Sequence, residues 1–392
     1  MTPLFSLTVL AAASLPVLAL SAIAAELPAP PVARKAPKET VLNGERLVDP
    51  YAWLREKASP EVRANLEAEN AYADAVTKPL ARLRDALYAE ILGRIKETDL
   101  SVPYRKGAYL YYARTEQGKQ YPINCRKKVT ANAPEEVTLD LNELAKGERF
   151  MSLGVYEPSD DGRLLAYSTD TTGFRVYTLR VKNLATGETL PDVLTKVDSA
   201  AWAADGKTLL YVTEDAAKRS YRLFRHPLGA DPAKDPLVYE EKDETFRLSV
   251  HRSRSRAYLF LESASHTASE WRFVKADAPE TAWQLVSARE KDHEYDVDHR
   301  GDLFYVRTNR GCRDFRVVTA PVSSPGTDRW TELVPCRDGV TISRVDLFEG
   351  HMVLLEREDA LPKFRVTDLE TGASHRVDFP EPVYSVFPEA NL

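Results

Sequence analysis

The sequence predicts a mainly β fold built from a repeated unit of short strands, with a short α-helical segment in front. Two observations carry the prediction. First, brief apolar runs recur at residues 109–112, 164–167, 209–212, 258–261, 303–306 and 352–355. Most follow a reversal signal: Lys106-Gly107, Asp161-Gly162, Asp205-Gly206, Arg300-Gly301 and Glu349-Gly350. Second, an aromatic-Arg-apolar triplet sits downstream in each unit. It reads Phe174-Arg175-Val176, Tyr221-Arg222-Leu223, Trp271-Arg272-Phe273, Phe315-Arg316-Val317 and Phe364-Arg365-Val366, spaced by 47, 50, 44 and 49 residues. A degenerate copy, Tyr121-Pro122-Ile123, marks the first unit.

A repeat of this length, made of several strands, is the signature of a β-propeller blade. The period-two alternation excludes a solenoid of helix pairs. Residues 99–392 hold about six such blades at about 47 residues each, and Val383-Tyr384-Ser385-Val386 reads as the first strand of a seventh. The expectation is a seven-bladed propeller, incomplete at its seventh blade. Blades bury their faces against neighbours, so an interrupted ring implies a truncated molecule.

In front of the repeat, residues 25–98 read as a helical segment. Ser59 is placed to cap a helix whose first position is Pro60, with Val62, Leu66, Tyr72 and Val76 on roughly one face. The pattern breaks at Lys78-Pro79 and restarts as Leu83, Leu87, Ile91 and Ile95, four residues apart. That stripe needs a partner, and the strand region does not obviously supply one.

From Leu4 to Ala25 there is no charge, and Ala22-Ile23-Ala24 offers a small-x-small cleavage pattern. Residues 1–24 therefore read as a secretory signal, with the mature chain exported to the periplasm. The Met1-Thr2-Pro3 start lacks the usual basic residue, and an uncleaved anchor is the rival reading. No later segment is long and apolar enough to span a membrane.

Charge and motifs exclude several functions. Lys and Arg number 53 against 59 Asp and Glu, a net charge of −6, which disfavours a basic nucleic-acid footprint. Three cysteines exclude a disulfide-dense scaffold; Cys125, Cys312 and Cys336 read as buried free thiols, with a Cys312–Cys336 bridge as the alternative. Gly372-Ala373-Ser374-His375-Arg376 lacks the second glycine of a nucleophile elbow. Gly206-Lys207-Thr208 ends like a phosphate loop but has Ala201 where the earlier glycine belongs. Asp296-Val297-Asp298-His299-Arg300-Gly301 begins like a calcium loop, yet position 12 is Arg307. His293 and His299 read as ordinary hydrogen-bonding histidines. The clusters Arg126-Lys127-Lys128 and Arg252-Ser253-Arg254-Ser255-Arg256 read as solvated turns. No catalytic residue, metal ligand or cofactor site is assigned.

Longer motifs point to a family. They include Asp49-Pro50-Tyr51-Ala52-Trp53-Leu54-Arg55, Glu67-Ala68-Glu69-Asn70-Ala71-Tyr72, Ser101-Val102-Pro103-Tyr104, Glu135-Glu136-Val137-Thr138-Leu139-Asp140, Leu237-Val238-Tyr239-Glu240-Glu241-Lys242-Asp243 and Lys291-Asp292-His293-Glu294-Tyr295. From about Val41 onward the chain resembles oligopeptidase B, of the prolyl oligopeptidase group of serine peptidases. The resemblance implies a helical segment packed on a C-terminal α/β-hydrolase domain, and a seven-bladed propeller that admits only short peptides. It places the Ser, Asp and His triad, and the acidic groups that select Lys or Arg, in the hydrolase domain, which this chain does not contain. Short basic peptides and that domain, in cis or in trans, are the implied partners. Glu148 and Arg175 match family positions facing the other domain, which implies interdomain ion pairs. Arg at the same triplet position in four other units argues instead for a shared strand role. An exported propeller that binds without catalysis, or one half of a split peptidase, are the alternatives.

Overall fold

The computed structural model describes residues 28–388. The signal sequence read over 1–24 lies outside them. The chain divides into two compact units, Met1–Lys96 and Glu97–Leu392.

The first unit opens with an antiparallel hairpin, Lys38–Leu42 with Glu45–Asp49. Asn43 and Gly44 both have positive φ, as a two-residue turn of the twist-matched kind demands. The Asn43-Gly44 pair is itself a hairpin signal in the sequence. Helix α1 runs Pro60–Thr77 and helix α2 runs Ala81–Arg94, so the break falls at Lys78-Pro79 as expected. Ser59 is extended and its carbonyl accepts from Arg63 N–H, but its side chain makes no cap bond. Arg34 holds the segment before the hairpin on α1 through Glu61 at 2.6 Å. Leu83, Leu87, Ile91 and Ile95 all remain exposed.

The second unit is a β-propeller of six four-stranded antiparallel sheets, each made of four consecutive strands in sequence order. Blade one spans 104–140, blade two 152–195, blade three 197–240, blade four 247–287, blade five 295–334 and blade six 340–376. All six apolar runs found in the sequence are second strands. Period two explains how they stack. In blade three, Leu209 and Tyr211 pack toward blade two, while Leu210 and Val212 pack toward blade four. In blade four, Leu259 and Leu261 face blade three and Phe260 faces blade five. The core is thus a series of interblade layers. The short helix α3, Leu141–Leu144, joins blades one and two and is capped by the Asp140 carboxylate, which accepts from Asn142 N–H.

Two expectations need correction here. Val383-Tyr384-Ser385-Val386 forms no strand, since among the described residues no strand pairs with its backbone; Val383 is largely exposed and the Tyr384 ring lies tilted against Phe379, centroids 4.4 Å apart. Cys312 and Cys336 are bridged, with Cα atoms 5.8 Å apart, while Cys125 is free and buried.

Candidate functional site

The first strand of each blade is its innermost. Those of blades one to four enclose a cavity of about 530 Å³. Its wall includes Lys106, Glu157, Asp198, His251, Arg252 and Arg256. Gly154 belongs to this wall because a side chain there has no room: a Cβ would lie 2.6 Å from Ser168 Oγ and 2.8 Å from the Tyr177 ring.

Lys106, His251 and Arg252 in this wall are desolvated, while the Glu157 side chain and Asp198 stay exposed. Lys106 donates to the Pro158 carbonyl at 2.5 Å and lies 3.5 Å from Glu157. Burial lowers its pKa, with Glu157 opposing. Arg252 is pulled down to about 10 by burial and by the neighbouring Arg256. Burial alone takes His251 down to about 4, so its imidazole is neutral at pH 7. On blade four, Glu262 is pushed up to about 7, first by burial and then by Asp296. A neutral histidine and confined cations give the cavity a polar lining.

Glu148 and Arg175 occupy one end of blade two. Glu148 follows α3 in the link from blade one, and Arg175 lies in the link between the second and third strands. Both are exposed. Phe150 and Phe174 are exposed beside them, Phe174 at 70%. The shared-strand reading of Arg175 does not hold. Arg222, Arg272, Arg316 and Arg365 are on third strands, but Arg175 sits in a loop at φ +57°. The Asp170 carboxylate imposes that conformation, accepting from Thr172 N–H and from Arg175 N–H, each at 2.8 Å.

Neither basic cluster is a solvated turn. Arg126 is buried in a strand, donates to Glu136 at 2.8 Å and lies 4.0 Å from the centre of the Tyr109 ring. Arg252, Arg254 and Arg256 point inward to carboxylates of other blades. The calcium-like segment is a strand, and its Arg307 pairs with Asp296 at 2.6 Å. His293 Nε2 meets Thr308 Oγ1 at 2.9 Å, and His299 Nδ1 meets Ser255 Oγ at 2.7 Å. Ser255 also accepts from Ala257 N–H, which makes this Ser–His pair a brace for a turn. Among the described residues no group of three or more metal-binding side chains forms a metal site. Sequence reasoning missed the contacts between blades, since Asp160 and Arg256 stand 96 residues apart.

Comparison with known proteins fits this architecture. The family model described as the prolyl oligopeptidase N-terminal β-propeller domain matches residues 30–391. Dipeptidyl aminopeptidase BI of Pseudoxanthomonas mexicana is 41% identical over 95% of this chain and 54% of its own length. Protease 2 of Moraxella lacunata is 32% identical over 91% of this chain and 52% of its own. Oligopeptidase B from Leishmania major superposes with a TM-score of 0.84 at 28% identity, covering 90% of this chain and 54% of that one. The chain therefore spans about half the length of the relatives it matches. With its six-bladed core and a match along nearly its whole length, the chain belongs to the prolyl oligopeptidase family, of which it carries the N-terminal β-propeller domain.

Proposed function

We propose that this chain is the N-terminal and propeller portion of an oligopeptidase B-like serine endopeptidase that cleaves short peptides after Lys or Arg, the propeller restricting which peptides reach the active site. The observation that carries the reading is the family match over 30–391 in a chain half as long as its relatives. On this reading the Ser, Asp and His residues reside in an α/β-hydrolase domain joined in cis or supplied in trans, and the chain alone is inactive. The exposed stripe Leu83, Leu87, Ile91 and Ile95 supports such a partner, since an apolar helix face calls for one. Glu148 and Arg175 are exposed and free to pair with charges on that domain. The uncharged stretch before Glu26 supports export to the periplasm.

A second reading concerns the substrate. The 41% identity to a protein named dipeptidyl aminopeptidase BI favours removal of dipeptides from a free N-terminus. A non-catalytic exported binding module is the reading that remains if no hydrolase domain accompanies the chain.

The test is to isolate the native protein from its source cells with an antibody to the propeller and measure its intact mass and activity. A mass larger by an α/β domain, with cleavage of Arg-containing peptides abolished by a serine-directed inhibitor, is the expected result. Blocking the peptide N-terminus separates the two substrate readings. Inhibitor-sensitive peptidase activity in the purified 392-residue chain alone would contradict the assignment of catalysis to another domain.

A further inference from the structure

A fully buried histidine joins the outer edges of blades two and three. His226 lies on the third strand of blade three, Ser220–Pro227. Its Nε2 is 2.9 Å from an oxygen of Asp192, on the outermost strand of blade two, Thr189–Thr195. Its Nδ1 is 2.9 and 3.0 Å from the two oxygens of Asp235, in the link between the third and fourth strands of blade three. All three side chains are almost wholly shielded from water. Asp192 also accepts from Gly229 N–H, near the start of that link, at 2.6 Å.

The hydrogens of this cluster can be counted. An ionised carboxylate only accepts, so each ring nitrogen that faces one must carry a hydrogen, and the imidazole is then an imidazolium. Among the described residues neither carboxylate pairs with any other cation. Two carboxylates held out of water call for that positive partner. Tyr211, on the second strand of blade three, is the other titratable group that meets the cluster. Burial first and Asp235 second raise its pKa, so its hydroxyl keeps its hydrogen and donates to Asp235 at 2.8 Å. Asp231 and Lys234 of the same link lie in solvent and face each other at 3.7 Å.

We propose that His226 is a proton-operated latch on the rim of the propeller. With two ring hydrogens it fastens blade two to blade three. A rise in pH removes one of them, and the lone pair left behind repels a carboxylate. That lone pair is better tolerated at Nε2, which faces one oxygen, than at Nδ1, which faces two. The imidazole therefore keeps Asp235 and lets go of Asp192, freeing the Thr189–Thr195 edge of blade two. Val193 and Leu194 of that edge and Pro232 and Ala233 of the link line one groove of about 410 Å³, whose two walls the latch holds together. The apolar layer between the blades, with Trp202 and Leu209, does not titrate, so the propeller stays assembled and only its rim opens.

The experiment uses the full chain with isotopically labelled histidine. Long-range proton–nitrogen spectra read which ring nitrogens carry hydrogens. Amide exchange of Thr189–Thr195, corrected for the intrinsic effect of pH, reads the rim. Tyr211→Phe removes only the hydroxyl beside Asp235, and the signals it shifts identify His226. At about pH 6 both nitrogens are expected to carry hydrogens; by about pH 9 Nε2 alone has lost its own, and rim exchange is about fivefold faster or more. Asp192→Asn, whose amide donates to a bare Nε2, is expected to abolish that acceleration, an outcome that general loosening of the fold does not give. Circular dichroism confirms that each variant is folded. A single ring hydrogen at about pH 6, both still present at about pH 9, loss from Nδ1 instead, or rim exchange that ignores the change overturns the latch.

Discussion

Glu262 and Asp296 face one another between blades four and five, and only Asp296 has a cation, Arg307 at 2.6 Å. Burial raises the pKa of both carboxyls, and Glu262, with no cation beside it to oppose the rise, is pushed up to about 7. Its pKa, near 7 when folded, lies well above the ordinary glutamate value.

The sign of the pH effect follows. Folded Glu262 binds its proton more tightly than the unfolded chain does, so stability falls as pH rises. Its contribution is fully present below about pH 4.5 and is lost by about pH 7, a change of roughly 2 kcal/mol after allowance for partial solvation. Glu262→Gln is expected to remove this part of the slope and to be more stable than the parent at alkaline pH. Urea midpoints for both proteins across this window check it; identical slopes would refute the assignment.

Cys312 and Cys336 tie the link after the second strand of blade five to the link between blades five and six, closing a separation of 24 residues. Asp314 already joins the first link to the start of blade six, accepting from Gly339 N–H in the second link at 3.2 Å and from Thr341 Oγ1 in the strand that follows at 2.8 Å. Loss of the bridge should therefore leave the local structure intact and act through the unfolded chain, lowering stability by about 3 kcal/mol. Denaturant curves of the Cys312→Ser, Cys336→Ser variant, with its activity-independent spectra unchanged, are the check.

Gly154 tests how closely the inner strand of blade two approaches its neighbours. Gly154→Ala should cost about 1–3 kcal/mol through overpacking against Ser168 and Tyr177. Adding Ser168→Ala removes only the hydroxyl contact and also frees Val155 N–H, which Ser168 Oγ accepts at 2.8 Å, so it should not restore stability. Full recovery in the double variant would show that the Tyr177 ring does not limit this site.

The repeat was legible because its cause is local. Alternating apolar residues such as Leu209 to Val212 must face two neighbouring blades wherever the strand lies. The triplet marker worked for Tyr221, Trp271, Phe315 and Phe364, and failed at Phe174 because Asp170 captures the backbone of Arg175. The arginine-rich turn was misread for a different reason. Whether Arg256 is solvated or paired depends on Asp160, two blades away, and no spacing rule connects them. The Cys312–Cys336 bridge likewise needed Cα geometry that the sequence does not hold.

Because each blade is a meander of four consecutive strands, it is also a unit of synthesis. A ribosome adds about 5–20 residues per second, so a blade takes seconds to emerge, whereas a hairpin forms in about 1–10 μs. Each sheet can pair its own strands before the next is translated and can serve as the template on which its successor docks. Only contacts that skip a blade, such as Asp160 with Arg256, must wait for later arrivals. Translation order thus becomes assembly order, and a ribosome stalled between blades holds a stack of finished sheets with one unmatched face.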